Sequence, residues 1–169
     1  MSRLAKVLST LALSIIACCS ARCETTNESL TFSIVSEYKV DGGRFIDTTN
    51  FPHLGYIKAT PDMIVTNLAD VFPAKVARQA VVGDSNGKQV VVRAKPRPTL
   101  TVKLTAGDAK RFRAVTEAAL GQQLLIMLGD EPLRAPKVVA PIETAEFAID
   151  FGSDEELQRT EKILKKLVR

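Results

Sequence analysis

The spacing of apolar positions changes period several times along the chain, and each change predicts an element. From Leu30 to Val40 it alternates, with Phe32 and Ile34 on one side and, across a shift of register, Val35, Tyr38 and Val40 following, which predicts a strand that bends. Asp41-Gly42-Gly43 is a turn, and Arg44 to Leu54, which holds Pro52 and the sole histidine, His53, reads as a surface loop. Tyr56 to Ala59 is a short strand. Thr60, with Pro61 at a first helical position, predicts a helix in which Ile64, Leu68 and Val71 recur at helical spacing until Phe72-Pro73 ends it. Val76, Ala80, Val81 and Val82 lead into the punctuated turn Gly83-Asp84-Ser85-Asn86-Gly87, and Val90 to Ala94 is a strand. Lys95-Pro96-Arg97-Pro98 interrupts it before Leu100, Val102 and Leu104 resume the alternation.

The signals agree best between Thr101 and Phe151, which read as strand, helix, strand, Pro-rich crossing, strand. Thr105 is a helix N-cap with Asp108 near the free amides, and Ala109, Phe112, Val115, Thr116, Ala119 and Leu120 share one helical face before Gly121 ends it. Leu124 to Leu128 is a continuous apolar run of buried-strand length, closed by Gly129-Asp130. Glu146 to Phe151 alternates strictly. Ser153 and Glu156 then form a capping box for a last helix along Leu157, Thr160, Leu164, Leu167 and Val168, and Lys162, Lys165, Lys166 and Arg169 suit the negative end of its dipole. Strands and helices interleaved in this way predict an α+β fold with helices packed on a mainly antiparallel sheet.

The first residues follow a different logic. Arg3 and Lys6 precede an apolar run from Val7 to Ala17, too short to span a bilayer and built like a secretion signal. The chain thus divides into a signal at 1–17, a polar tether at 18–29 and one domain at 30–169. Ile15-Ile16-Ala17-Cys18 resembles a permissive lipobox, which makes Cys18 a lipidation site. Cys19-Ser20-Ala21 is the alternative, a poorer fit to ordinary signal cleavage. All three cysteines, Cys18, Cys19 and Cys23, fall at this junction, so no disulfide is expected to brace the domain and no metal site is expected.

Composition adds little to the pattern: 46% hydrophobic and 25% charged residues describe an ordinary globular domain, and a net charge of +4, or +2 without Arg3 and Lys6, gives no reason to expect a nucleic-acid partner. Basic residues are interleaved with acids along the chain, and Lys110-Arg111-Phe112-Arg113 reads as the solvated face of an amphipathic helix. Nothing carries a catalytic or cofactor signature, so a non-enzymatic protein without cofactor is expected. There is no Gly-rich phosphate loop, no nucleophile elbow and no histidine pair. His53 reads as a loop residue rather than a base. Glu143 and Glu146 flank a strand, and Asp154, Glu155 and Glu156 stand where helix N-termini favour acids.

The order of short elements over the C-terminal half resembles the first periplasmic domain of SecD, the accessory subunit of the bacterial preprotein translocase. The resemblance rests on Leu104 and Thr105, then Ala109 to Phe112, then Gly121, Leu124, Ile126 and Leu128, then Leu133, Ala135, Pro136 and Val138, then Pro141 and Ile142, and finally Ser153 and Glu155 to Leu157. Phe32 to Val40 and Tyr56 to Asp70 resemble earlier segments of the same family. The resemblance implies a periplasmic, polypeptide-binding role in protein export, with unfolded secreted chains or Sec translocase subunits as partners and a lipid anchor holding the domain at the membrane. No span follows the signal, so energy coupling is not expected of this chain. The candidate polypeptide-binding residues are Leu133, Arg134, Val138 and Val139 in the Pro-bounded crossing, where unpaired backbone would let a partner strand add. The other reading of the same residues is a structural or regulatory envelope lipoprotein that uses the fold as scaffold.

Overall fold

The computed structural model describes residues 28–76, 79–83, 89–93 and 96–169. The signal at 1–17, the tether from Cys18 to Asn27 and the Asp84-Ser85-Asn86-Gly87 part of the predicted turn lie outside the described residues. Within them the chain forms β1 (Leu30–Val35), β2 (Arg44–Thr48), β3 (Phe51–Ile57), β4 (Met63–Val65), β5 (Leu68–Val76), β6 (Gln79–Gly83), β7 (Gln89–Arg93) and β8 (Arg97–Leu104). Helix α1 (Ala106–Ala118), β9 (Gln123–Leu128), β10 (Glu131–Arg134), β11 (Glu146–Asp150) and α2 (Asp154–Leu164) complete it. The fold is α+β.

The strands make a four-stranded antiparallel sheet in the order β10-β9-β1-β4 and a three-stranded one in the order β11-β8-β5, with two separate ribbons, β2-β3 and β6-β7. The first sheet is covered on both faces. Leu30, Phe32, Leu124 and Ile126 turn to the main core, where Phe112 of α1 and Leu157 and Leu164 of α2 meet Val102 and Ile149 of the second sheet. Val35, Leu125 and Met127 turn the other way, under Ile46 and Ile57 of the β2-β3 ribbon. The unbroken apolar run at Leu124–Leu128 follows from this: a strand covered on both faces has no solvent side to make polar. Rings bind the layers together. Phe32 lies 4.9 Å from Phe112 and 5.6 Å from Phe147 of β11, and Phe112 lies 5.1 Å from Phe147, centroid to centroid.

Both helix starts follow their sequence signals. The Thr105 side chain accepts from the Asp108 amide at 3.3 Å and donates to the Asp108 carboxylate at 3.0 Å. Ser153 accepts from the Glu156 amide at 3.2 Å while the Glu156 carboxylate accepts from the Gly152 amide at 2.9 Å. Leu120 departs from expectation. Helix α1 ends at Ala118, so Leu120 leaves the helical phase and is 46% exposed.

Two segments take other forms than the sequence pattern predicts. No helix forms from Thr60 to Phe72; β4 and β5 stand there instead. Ile64 and Val65 are β-branched, and pairing of Met63 and Val65 with Phe32 and Leu30 of β1 buries both, whereas a helix through Ile64, Leu68 and Val71 would have left them outside. Pro73 does not end an element. It sits within β5, which pairs on one side with β8 from Leu68 to Val76. Arg44 to Leu54 is not a loop but most of the β2-β3 hairpin, with His53 in β3. Only Ile46 of β2 is buried, so the strand shows almost no alternation. Side chains close its turn: Thr48 accepts from the Phe51 amide at 3.2 Å and Asp47 from the His53 amide at 3.1 Å.

Gly55 fixes how this hairpin lies on the sheet. Ser36 and Tyr56 exchange backbone hydrogen bonds at 2.8 Å, and a Cβ on Gly55 would stand 2.7 Å from the Ser36 carbonyl at a φ of +133°. Gly55→Ala is therefore expected to cost about 2 to 4 kcal/mol in urea denaturation, combining backbone strain with a steric clash. Phe45→Ala on the same hairpin, where the ring is 45% exposed, is expected to cost less than about 1 kcal/mol.

Candidate functional site

The four residues singled out in the crossing separate in space. Leu133 and Val138 are 4% and 6% exposed and belong to the main core, so their side chains meet no partner unless the core opens. Arg134 is a rivet. Its guanidinium donates to the carbonyls of Asp150 and Leu133 and to the Glu156 carboxylate at 3.2 Å, and stands 5.1 Å from the Phe151 ring centroid. One side chain thereby joins β10, the end of β11 and the first turn of α2. Val139 alone faces outward, at 86% exposed.

The crossing's backbone is not open to a partner strand. Val138 donates to the Gln122 carbonyl at 2.9 Å and accepts from the Gly121 amide at 2.8 Å, and the Leu124 amide donates to the Pro136 carbonyl at 2.9 Å. The chain supplies its own added strand there. Further along, the Ile142 amide donates to the Thr116 hydroxyl of α1 at 3.0 Å, tying the crossing to the helix. These bonds hold the Val138–Val139 segment against the end of α1, where Val139 and Leu120 are both exposed. The sequence assigned Leu120 to the buried helical face, so its part in this patch was hidden by the helix's early end.

The edges of the second sheet are guarded. On β5 the Val71 amide donates to the Asp70 carboxylate at 2.7 Å, and Pro73 has no amide proton to offer. On β11 the Glu146 carbonyl accepts from the Thr144 hydroxyl at 2.8 Å, and the Asp150 carbonyl from Arg134.

Two open clefts flank these elements. One, of about 1060 Å³, lies between the β2-β3 ribbon and the first sheet, lined by Thr31, Ser33 and Met127 together with Arg44 and Lys58. The other, of about 1370 Å³, is lined by Pro73, Pro98, Arg134, Phe151 and the start of α2. Three of the five acidic residues weighed for chemistry stand in ion pairs: Glu143 with Arg113 at 3.3 Å, Glu146 with Lys103 at 3.2 Å, and Glu156 with Arg134. His53 lies 3.7 Å from Asp47 with its side chain 81% exposed. Among the described residues no group of three or more His, Cys, Asp or Glu side chains has the geometry to hold a metal ion.

Replacement of Arg134 tests its role as a rivet. Arg134→Ala is expected to lower stability in urea denaturation by about 1 to 3 kcal/mol, since two part-buried carbonyls lose a donor. Arg134→Lys should recover less than half of that because it lacks the planar fork. The coupling to Glu156→Gln in a double-mutant cycle should stay below about 1 kcal/mol, the pair being partly solvated.

No family model and no curated protein matches the sequence. Solved structures do. A structure of SecDF, described as a membrane component that enhances protein export, superposes with a TM-score of 0.52 and 23% identity, over 82% of this chain and 62% of that one. SecDF in a super-membrane-facing form superposes with a TM-score of 0.53 and 22% identity, over 82% of this chain and 19% of that one. The chain thus spans less than two thirds of either. With mainly antiparallel sheets and two α-helices among the described residues, it has a SecD periplasmic-domain-like fold.

Proposed function

We propose that this domain is a non-enzymatic, exported module that holds extended polypeptide transiently during protein export, with Val139 and Leu120 as its apolar contact. The observation that carries the reading is the Val139 side chain, 86% exposed next to a Val138 held by backbone hydrogen bonds to the end of α1, where Leu120 is 46% exposed. The SecD-like fold supports it. Burying these two side chains contributes about 2 to 4 kcal/mol, which suits brief contact with a moving chain rather than stable binding. Arg134 and the core residues Leu133 and Val138 serve such a site by fixing the crossing, while guarded edges turn away strand addition. Lipidation at Cys18 would hold the module at the membrane.

A second reading, a structural or regulatory envelope lipoprotein, is favoured by those same guarded edges on β5 and β11. Photocrosslinking in cells separates the two. A photoreactive residue at Val139 is expected to trap nascent secreted chains or translocase subunits, and one at Lys110 on the exposed side of α1 is not. Equal labelling from both positions, or capture of only a folded envelope protein at Val139, would leave the second reading standing. Cys18→Ser is expected to move the protein from the detergent to the aqueous phase on detergent partitioning, and no change would remove the lipid anchor from the account.

A further inference from the structure

The polypeptide contact proposed above uses neither cleft, and the one between the β2-β3 ribbon and the first sheet carries an arrangement that core packing does not require. Residues of β1 alternate between the two faces of the sheet. Phe32 faces the main core, so Thr31 and Ser33 face the other way, opposite Met127 and Leu125 of β9. The ribbon covers the Val35 end of this face with Ile46 and Ile57. Towards the other end the sequence places hydroxyls instead of aliphatic side chains. Thr31 and Ser33 are 9% and 1% exposed, line the cleft, and have no side-chain hydrogen-bond partner among the described residues. Their oxygens are nevertheless not sealed in, since among those residues the sealed side-chain oxygen without a partner is Asn67 Oδ1. Two largely desolvated hydroxyls are thus left with hydrogen-bonding capacity that a ligand can satisfy.

Arg44 brings a charge to the same place. Its guanidinium donates to the Met127 sulfur at 3.6 Å, and Met127 stands directly opposite Thr31 in the β1-β9 register. A thioether is a weak acceptor and leaves the cation unneutralised. Arg111, Arg113, Arg134 and Arg159 each have a carboxylate within 3.3 Å, whereas Arg44 is in no ion pair among the described residues. The other cations of the cleft are already matched, Lys58 with Asp62 at 2.7 Å and Arg159 with Glu131 at 2.8 Å. Of the acids that line it, Glu28 pairs with Lys166, and Asp130 has no cation partner among the described residues. The cleft therefore has one free positive charge to offer, and a carboxylate that disfavours a second negative one.

We propose that this cleft binds a small aliphatic carboxylate, held by the Arg44 fork and the Thr31 and Ser33 hydroxyls, with its hydrocarbon body along Ile57, Met127 and Pro61. A carboxylate matches a single guanidinium in charge and accepts two parallel N–H bonds in its plane, with lone pairs left for hydroxyl donors. A phosphate monoester brings about 1.5 to 2 negative charges at neutral pH, more than the cleft balances. An alcohol leaves the guanidinium without a counter-charge.

The cleft contains its own probe. The chain has three methionines, Met1, Met63 and Met127, of which Met63 is buried in the main core on the opposite face of the sheet. With methyl-13C methionine in the full chain, octanoate is expected to move the Met127 methyl resonance saturably and to leave that of Met63 in place. Arg44→Gln should raise the octanoate concentration at half saturation by about tenfold or more, and Thr31→Val with Ser33→Ala by about threefold. Arg44→Lys keeps the charge and loses the fork, so it should fall between the wild type and Arg44→Gln, and it stands in if Arg44→Gln disturbs the Met63 resonance. Lys137→Gln, at an exposed position that does not line the cleft, should change the value less than about twofold. The proposal is overturned by no saturable movement of Met127, by equal half saturation with octanol or octyl phosphate, by Met63 moving in step with Met127, or by Arg44 variants that bind as the wild type does.

Discussion

The contact among Phe32, Phe112 and Phe147 is the point on which the other layers are registered, because it brings a ring from each sheet onto one helix. Phe32 belongs to the central pair of the four-stranded sheet, Phe147 to the edge of the three-stranded one, and Phe112 to α1 between them. Once α1 is held there, its C-terminal end must meet the crossing, and the bonds from Gly121 and Gln122 to Val138 follow. The exposed aliphatic pair is thus a consequence of core packing. Val138 turned inward requires its neighbour Val139 to turn outward, in the way adjacent residues of an extended chain alternate.

The surface that results around the second sheet offers little to an added strand. Around α1 and the second sheet, carboxylates and cations neutralise one another, and side chains occupy the groups a strand edge would offer. The edges are closed in different ways: a neighbouring carboxylate and a missing amide on β5, a hydroxyl and a guanidinium on β11. Recognition of an extended chain by side chains rather than by strand pairing fits this arrangement.

How far the sequence could be read depended on whether a segment carried its own signal. Thr105, Ser153 and the strict alternation at Glu146–Phe151 specify local structure through caps and periodicity, and α1, α2 and β11 form as those signals predict. Met63 to Val76 followed a misleading signal, Thr60 and Pro61, that reads as a helix start. Its apolar spacing fitted a helix, and only pairing with β1 and β8, distant in sequence, selects strands. The β2-β3 hairpin was hidden because one buried residue on β2 gives no visible period. At the candidate site the sequence marked the right segment but not its roles: Leu133 and Val138 went to the core, Arg134 to bracing, and Leu120 entered only because α1 stops at Ala118.

The claim that extended polypeptide meets side chains at the end of α1, and not a strand edge, is tested most directly by amide chemical shifts during titration with an unstructured, apolar-rich peptide. The account predicts changes concentrated at residues 118–122 and 137–141, with the amides of β5 and β11 unmoved. Changes running along β11 or β5, with residues 118–122 silent, would contradict it.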